Sequence, residues 1–146
     1  LALCIDRVAL AEAGGGVAMT GYWPSFEPEA QAAYDPEGAN ALLDVAGWPL
    51  GEDGVRVSAG SAAVSAGTRF SLNYFVLDNS QMITLAEQVR EQLSACGVAV
   101  SIEPLPADTL YQTGADGPLF GRGFDLAQLS WPFDTSLEPS CHLYLG

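Results

Sequence analysis

Residues 81–106 read QMITLAEQVREQLSACGVAVSIEPLP and carry the clearest pattern in the chain. Apolar residues recur there every three or four positions, which predicts an amphipathic helix over 81–96. Gly97 follows this helix, and glycine readily adopts the left-handed conformation that ends many helices. The apolar run that follows predicts a strand, which Pro104 and Pro106 close because proline cannot donate to a sheet. A helix that leads directly into a strand is typical of α/β proteins.

Residues 34–48, YDPEGANALLDVAGW, predict another helix with clear signals at both ends. Asp35 is a favourable N-cap, and Pro36 stands in the first turn, where its missing N–H costs no hydrogen bond. Gly47 is expected to end the helix in the left-handed conformation. The buried stripe of this helix is predicted to consist of Ala39, Leu42, Leu43 and Ala46.

Two further strands complete the pattern. Residues 69–77 alternate between apolar and polar and predict a strand, whereas 106–114 predict a short helix and 124–131 a third strand. The order strand, helix, strand, helix, strand predicts an α/β fold with a parallel βαβαβ core and right-handed crossovers. We expect a mixed sheet in which strands 98–103 and 124–131 are parallel. Residues 51–67 are small, polar and rich in glycine, which predicts a surface loop or a loose hairpin. The apolar side of the first strand is predicted to be Phe70, Leu72, Tyr74 and Val76.

The composition favours a globular domain and excludes some partners. The chain has 146 residues, of which 49% are hydrophobic and 16% charged, enough for one domain with a real core. Its net charge of −13 excludes binding to nucleic acid or to anionic membranes by charge, because both need clustered cations. No apolar run approaches the roughly 20 residues of a membrane span. No calcium-loop or cysteine–histidine pattern predicts a metal site, and no cofactor is expected.

Three cysteines, Cys4, Cys96 and Cys141, allow one internal disulfide at most, and the sequence does not select the pair. Cys96 lies on the apolar face of the 81–96 helix, where a free cysteine would act as a small buried hydrophobe. Residues 1–12 predict a helix that starts at the first residue without a cap. Both ends of the sequence therefore suggest a fragment of a longer protein.

Four segments resemble, in this order, the extracellular solute-binding proteins of family 5, the oligopeptide and dipeptide class that supplies ATP-driven importers. The segments are LCIDRVAL (3–10), YDPEGANALLDVAGW (34–48), VREQLSACGVAVSIEPLPADTLY (89–111) and FDLAQLSWPFD (124–134). Each segment is weak evidence alone, but their order and spacing make a chance match improbable. The resemblance covers nearly the whole chain.

The resemblance implies that residues 1–146 form a single three-layer α/β lobe of the periplasmic-binding-protein class II type. In this family two lobes close around a ligand by a hinge motion, so a second lobe of the same protein is expected as a partner. The resemblance also implies a non-enzymatic carrier that delivers a peptide or another small molecule to ABC permease subunits. Its location would be extracytoplasmic, either periplasmic or anchored on the cell surface as a lipoprotein.

The resemblance also identifies candidate ligand contacts in the segment Trp131–Asp134. Peptide-binding members have a W-x-x-D pattern after the strand, and its carboxylate, here Asp134, receives the ligand's α-ammonium. A carboxylate at the carboxyl end of a parallel strand faces the cleft, and shielding strengthens its bond to a cation. Trp131 and Phe133 would form apolar walls. The other interpretation is that Asp134 only begins a turn, and the sequence TSLEPSCHLYLG that follows departs from the peptide-binding pattern.

Two more candidate ligand contacts lie in loops. Trp23, in the loop GGGVAMTGYWPSFEP (14–28), either packs onto its own domain or faces the second lobe. Arg122 either meets a ligand carboxylate or is a solvated loop residue. The segment Gly121–Gly123 does not precede a helix, so it does not predict a phosphate loop.

Two other classes of function remain as alternatives. A small hydrolase or transferase would use Asp134, His142 and Cys141, but neighbouring residues on an extended chain point to opposite sides and cannot easily bond each other. A ligand-sensing regulatory module would use the same fold with a different output. No catalytic residue is therefore assigned.

Overall fold

The computed structural model describes residues 1–13 and 33–128 of the chain. A short 3₁₀ helix, Ala2–Cys4, precedes the helix α1. The α-helices are α1 (Arg7–Ala13), α2 (Pro36–Val45), α3 (Ser80–Ala95) and α4 (Ala107–Leu110). The strands are β1 (Ser71–Leu77), β2 (Ala99–Leu105) and β3 (Leu126–Gln128). From β1 onward the elements follow the predicted order of strand, helix, strand, helix and strand.

The three strands form one parallel sheet in the order β2-β1-β3. Tyr74 of the central strand β1 stands opposite Ile102 of β2 and Leu126 of β3. The prediction that the second and third strands share a sheet and a direction is confirmed. They are not neighbours, however, because β1 lies between them, and every pair among the described strands is parallel rather than mixed.

Both faces of the sheet are covered, which gives the predicted three layers. Tyr74 and Val76 of β1 pack with Ala86 of α3 on one face. Because side chains alternate along a strand, Phe75 points to the other face, where its ring centroid lies 6.1 Å from that of Phe124. The connection from β2 to β3 crosses β1 through α4, which contacts β1. With right-handed crossovers, α3 and α4 lie on opposite faces.

Proline at position 104 fits the edge position of β2. The Ala99 N–H donates to Phe70 O (3.0 Å), and Leu105 O accepts from Asp78 N–H (2.8 Å), so the odd-numbered residues of β2 bond to β1. Alternate residues of a parallel strand bond to the same neighbour, which directs Pro104 away from β1. Its missing N–H therefore costs no bond in the sheet.

The predicted helix signals are confirmed. The Asp35 side chain accepts the Gly38 N–H at 2.9 Å, and Pro36 stands in the first turn. The structure adds an N-cap for α3, where the Asn79 side chain accepts the Met82 N–H at 2.9 Å. Gly47 has φ +84° beyond the end of α2. Strong local end signals thus define α2 and α3.

The buried stripe of α2 differs from the prediction. Ala39 is buried and Leu43 packs against the core, but Leu42 is 61% exposed. The side chains of Asn40 and Asp44 accept hydrogen bonds from a buried arginine, although the Asp44 side chain is 59% exposed. These polar contacts hold α2 together with the apolar contacts of Ala39 and Leu43.

The predicted helix over residues 1–12 is broken in two. Ile5 is extended (φ −108°, ψ 114°), which separates the 3₁₀ helix from α1. The Asp6 side chain accepts the N–H groups of Val8 and Ala9, each at 3.0 Å, and so acts as the N-cap of α1. The 3₁₀ helix at the start of the chain has no side-chain cap, as predicted, whereas α1 is capped by Asp6.

Arg56 is the principal buried polar residue, and it lies in the segment predicted to be a surface loop. It is only 2% exposed. Its guanidinium donates to Cys96 O (2.8 Å), Asp44 Oδ1 (2.5 Å), Trp48 O, Asn40 O (3.2 Å) and Asn40 Oδ1 (2.8 Å). These five bonds match the five N–H donors of arginine. Arg56 therefore ties the end of α2 to the end of α3.

Gly97 makes this approach possible. It has φ +77°, and a Cβ there would lie 2.8 Å from Arg56 Cγ and 2.7 Å from Leu50 Cδ1. The Arg56 backbone also donates to Gly97 O (2.8 Å) and accepts from Phe70 N–H (2.8 Å). Gly97 is thus required both as the stop of α3 and as the space for Arg56.

A disulfide joins Cys4 to Cys96 across 92 positions of the sequence. Both residues are fully buried and belong to the same core cluster as Ala39, Leu93 and Val98. The predicted burial of Cys96 is confirmed, and the fold selects Cys4 as its partner, a choice that the sequence left open. Cys141 lies outside the described residues.

Replacing Arg56 by alanine should lower the free energy of unfolding by about 3–5 kcal/mol, because it removes five bonds and leaves buried acceptors without donors. Urea denaturation measures this loss. The matched control is Arg69→Ala, which breaks an exposed ion pair with Asp53 (2.5 Å) and should leave stability close to that of the wild type. Equal effects of the two substitutions would contradict the role assigned to Arg56.

Candidate functional site

The carboxyl ends of the three strands meet at one edge of the sheet. Because all three strands are parallel, the chain leaves β1 at Leu77, β2 at Leu105 and β3 at Gln128 on the same side. From β1 the chain passes through α3 to β2 on one flank, while β3 lies on the other flank. In open α/β sheets, ligands bind in the crevice where the connections diverge. The candidate site is therefore the crevice between the carboxyl ends of β1 and β3.

The chain beyond β1 is held firmly at this edge. Asp78 N–H donates to Leu105 O at 2.8 Å, which joins the exits of β1 and β2. Asn79 follows immediately as the N-cap of α3, and α3 begins at Ser80. The positive end of the α3 dipole therefore lies beside the crevice.

A polar link fixes the exit of β3. The Tyr74 hydroxyl donates to Gln128 Oε1 at 2.8 Å, and Gln128 Nε2 donates to Met82 Sδ at 3.0 Å. Tyr74 is 6% exposed, and burial raises its pKa to about 12, so the hydroxyl stays protonated and able to donate. One glutamine side chain thus connects β1, β3 and α3 at the edge of the crevice.

The structure places Arg122, the one predicted contact among the described residues, in the turn that precedes β3. It is exposed, has φ +57°, and its N–H donates to Leu119 O at 3.3 Å. No carboxylate of residues 1–13 or 33–128 forms an ion pair with it. Since Arg122 precedes β3 and the crevice follows it, the two are separated by at least the three residues of that strand, about 10 Å.

The remaining predicted contacts lie outside the described residues. These contacts are Trp23, Trp131, Phe133 and Asp134, and the alternative catalytic pair Cys141 and His142 also lies there. In sequence, the segment Trp131–Asp134 begins three residues after the end of β3. Their roles remain predictions.

Other polar features of the described chain lie away from this edge. The ion pair with Arg69 lowers the pKa of Asp53, and both residues are exposed near the start of β1. An open hollow of about 440 Å³ lies at the amino edge of the sheet, the edge where β2 begins. The residues that line it include Gly54, Arg90 and Val98. Among residues 1–13 and 33–128, no group of three or more acidic, cysteine or histidine side chains could hold a metal ion.

No helix within the described ranges is long and apolar enough to cross a bilayer.

The chain belongs to the bacterial extracellular solute-binding proteins of family 5, because the sequence model of the middle region of that family matches residues 1–144. The resemblance inferred from sequence motifs is thereby confirmed. No curated protein matches the chain significantly.

Solved structures of solute-binding proteins have the same fold. An oligopeptide-binding protein, OppA, is 27% identical over 76% of this chain, with a TM-score of 0.60. The oligopeptide-binding protein AppA from Bacillus subtilis, solved with a nonapeptide, is 18% identical over 97% of this chain, with a TM-score of 0.65. The periplasmic binding protein MelB from Agrobacterium fabrum C58, solved with stachyose, is 19% identical over 86%, with a TM-score of 0.63.

The chain spans only part of each of these proteins: 18% of OppA, 28% of AppA and 20% of MelB. The fold shared with them is the α/β arrangement described above, with its parallel sheet. Sequence reasoning found this fold and the family, but it missed the link among Tyr74, Gln128 and Met82. No local pattern signals that link, because Tyr74 and Gln128 are 54 positions apart.

Removing the Tyr74 hydroxyl should loosen β3. We expect Tyr74→Phe to lower the free energy of unfolding by about 1 kcal/mol and to speed amide hydrogen exchange in residues 126–128, because Gln128 loses its donor. Denaturation and exchange measured by mass spectrometry test both effects. The control is Thr84→Val, which removes an exposed hydroxyl bonded to Ser80 O (2.8 Å). Unchanged exchange of β3 in Tyr74→Phe would contradict the link.

Proposed function

We propose that residues 1–146 form one ligand-binding lobe of an ABC-importer solute-binding protein. The protein would close a second lobe over its ligand by a hinge motion and deliver the ligand to permease subunits. The observation that carries this proposal is the parallel direction of β1, β2 and β3, which places their three carboxyl ends at one edge of the sheet. The chain continues from that edge toward Trp131–Asp134. Family membership supports the carrier role.

We propose a peptide as the ligand, held through its α-ammonium by Asp134. A carboxylate in a crevice shielded from water bonds an ammonium more strongly than a solvated carboxylate does, because the local dielectric is lower. Trp131 and Phe133 would bury apolar surface of the ligand, and Trp23 would add to the wall. Arg122 is exposed and lies about 10 Å from the crevice, so it would meet a ligand carboxylate only at the far end of an extended peptide about three residues long.

We propose an extracytoplasmic location, in the periplasm or on the cell surface with a lipid anchor. Proteins of this family are extracellular solute-binding proteins. The buried disulfide between Cys4 and Cys96 supports the same location, because disulfides persist in oxidising compartments and are rare in the cytosol.

The ligand class needs a direct test, because similar folds carry different ligands. AppA was solved with a nonapeptide and MelB with stachyose, and both are less than 20% identical to this chain. Aromatic walls and a carboxylate suit a sugar as well as a peptide, because a carboxylate accepts hydrogen bonds from hydroxyl groups and from an ammonium. Only the peptide carries an α-ammonium, so the dependence of binding on that group distinguishes the two ligands.

Asp134→Asn in the full-length protein should weaken the binding of short peptides by roughly 2–5 kcal/mol, because a buried ammonium loses its counter-charge. Calorimetry with a free peptide and with its N-acetylated form measures this. The wild type should bind the acetylated peptide as poorly as the variant binds the free one. The folding free energy should change little.

The matched control is Asp116→Asn, which removes one carboxylate from an exposed turn and should leave peptide binding unchanged. If Asp134→Asn binds peptides as well as the wild type does, Asp134 is a turn residue and the peptide proposal fails. Binding of an oligosaccharide, but not of peptides, by the wild type would replace the peptide with a sugar.

A further inference from the structure

The disulfide between Cys4 and Cys96 connects the start of the chain to the end of α3, and neither residue is accessible to solvent. Thiol–disulfide exchange requires a thiolate to reach one of the sulfur atoms. In the folded lobe neither sulfur can be reached from water. The bond must therefore form before this part of the core closes, and it cannot be reduced until the core opens.

Within the described ranges, hydrogen bonds and the packing of its two helices against α2 and α3 also hold the N-terminal segment, residues 1–13. Leu3 O accepts Asp35 N–H at 2.9 Å, and Asp6 N–H donates to Gln92 Oε1 at 2.8 Å. Cys4 is the only fully buried residue of the segment, and α1 has no buried residue. Leu3 and Ile5 are only partly buried against the core. The disulfide is therefore the strongest connection of residues 1–13 to α2 and α3.

The rest of the lobe has its own supports. Arg56 joins α2 to α3 through Asn40, Asp44 and the Cys96 carbonyl, and none of these contacts uses a sulfur atom. The sheet is held by the backbone bonds of β1 with β2 and β3. Loss of the disulfide thus removes the main connection of one segment and leaves the supports of the sheet in place.

We propose that the disulfide is an oxidation-dependent lock on residues 1–13. In the reduced chain the sheet and α3 form, but the N-terminal segment stays detached from α2 and α3. Oxidation completes the lobe: the two thiols lose two protons and two electrons to an oxidised dithiol partner, which is reduced as the Cys4–Cys96 bond forms. The lobe would then be complete only in an oxidising compartment. This proposal does not depend on the identity of the ligand.

Hydrogen exchange measured by mass spectrometry on the full-length protein tests the lock. We compare the oxidised wild type, the wild type unfolded and refolded under reductant, and the double variant Cys4→Ala/Cys96→Ala. In the reduced wild type and in the double variant, the amides of residues 1–13 should exchange about tenfold faster than in the oxidised protein. Residues 71–77 and 99–105 should keep their protection. Cys141→Ala is the matched control and should behave like the oxidised wild type.

Three results would overturn the proposal. Oxidised-level protection of residues 1–13 in the reduced forms would show that the segment needs no lock. Loss of protection throughout the sheet would show that the bond supports the whole fold rather than one segment. Peptide mapping that links Cys141 to Cys4 or to Cys96 would assign the bond to another pair.

Discussion

The architecture of this α/β domain depends on the buried guanidinium of Arg56. Burial of a charged group is costly unless each of its polar atoms finds a partner. Here five acceptors from α2, from the turn after it and from the end of α3 meet the five donors. Four of those acceptors are neutral amide oxygens, and the one carboxylate, Asp44, is 59% exposed on its side chain. The contribution of Arg56 therefore comes chiefly from satisfied hydrogen bonds and fixed geometry rather than from an isolated ion pair.

This arrangement joins the strands of the sheet firmly at the edge where β1 and β2 begin. The loops that follow the strands lie at the opposite edge, where the strands end. The backbone of Arg56 bonds both Gly97, just before β2, and Phe70, just before β1. Cys96 adds the disulfide to the N-terminal segment at the same place. The starts of β1 and β2 are thus fixed together, so their carboxyl ends emerge at a defined spacing. Parallel α/β proteins place binding residues on loops at that end because a fixed scaffold positions them there.

Much of the fold could be predicted from local signals. Asp35, Gly47, Asn79 and Gly97 mark helix ends by chemistry that acts within a few residues, and strand alternation identified the face of β1 that packs on α3. The break at Asp6 was also readable, since aspartate is a favourable N-cap, but the apolar spacing around it suggested one continuous helix. Local signals thus identified most helix ends, and they failed at Asp6, where the apolar spacing outweighed the cap.

Long-range contacts could not be predicted in this way. Arg56 stands among small polar residues and looks like part of a loop, because its acceptor Cys96 lies 40 positions away. Three cysteines permit three pairings, and only the fold brings Cys4 to Cys96. For the candidate site, the sequence predicted the edge of the sheet through the strand order. It could not predict that Gln128 is held by Tyr74.

Hydrogen exchange of the full-length protein, with and without a saturating mixture of short peptides, tests most directly whether the carboxyl edge is the binding site. The edge between β1 and β3 should gain protection, above all at residues 77–81 and 126–130. The hollow at the amino edge, lined by residues such as Gly54 and Val98, should be unchanged. Protection confined to residues 94–100, or no protection by peptides at either edge, would contradict a peptide site at the carboxyl ends of these strands.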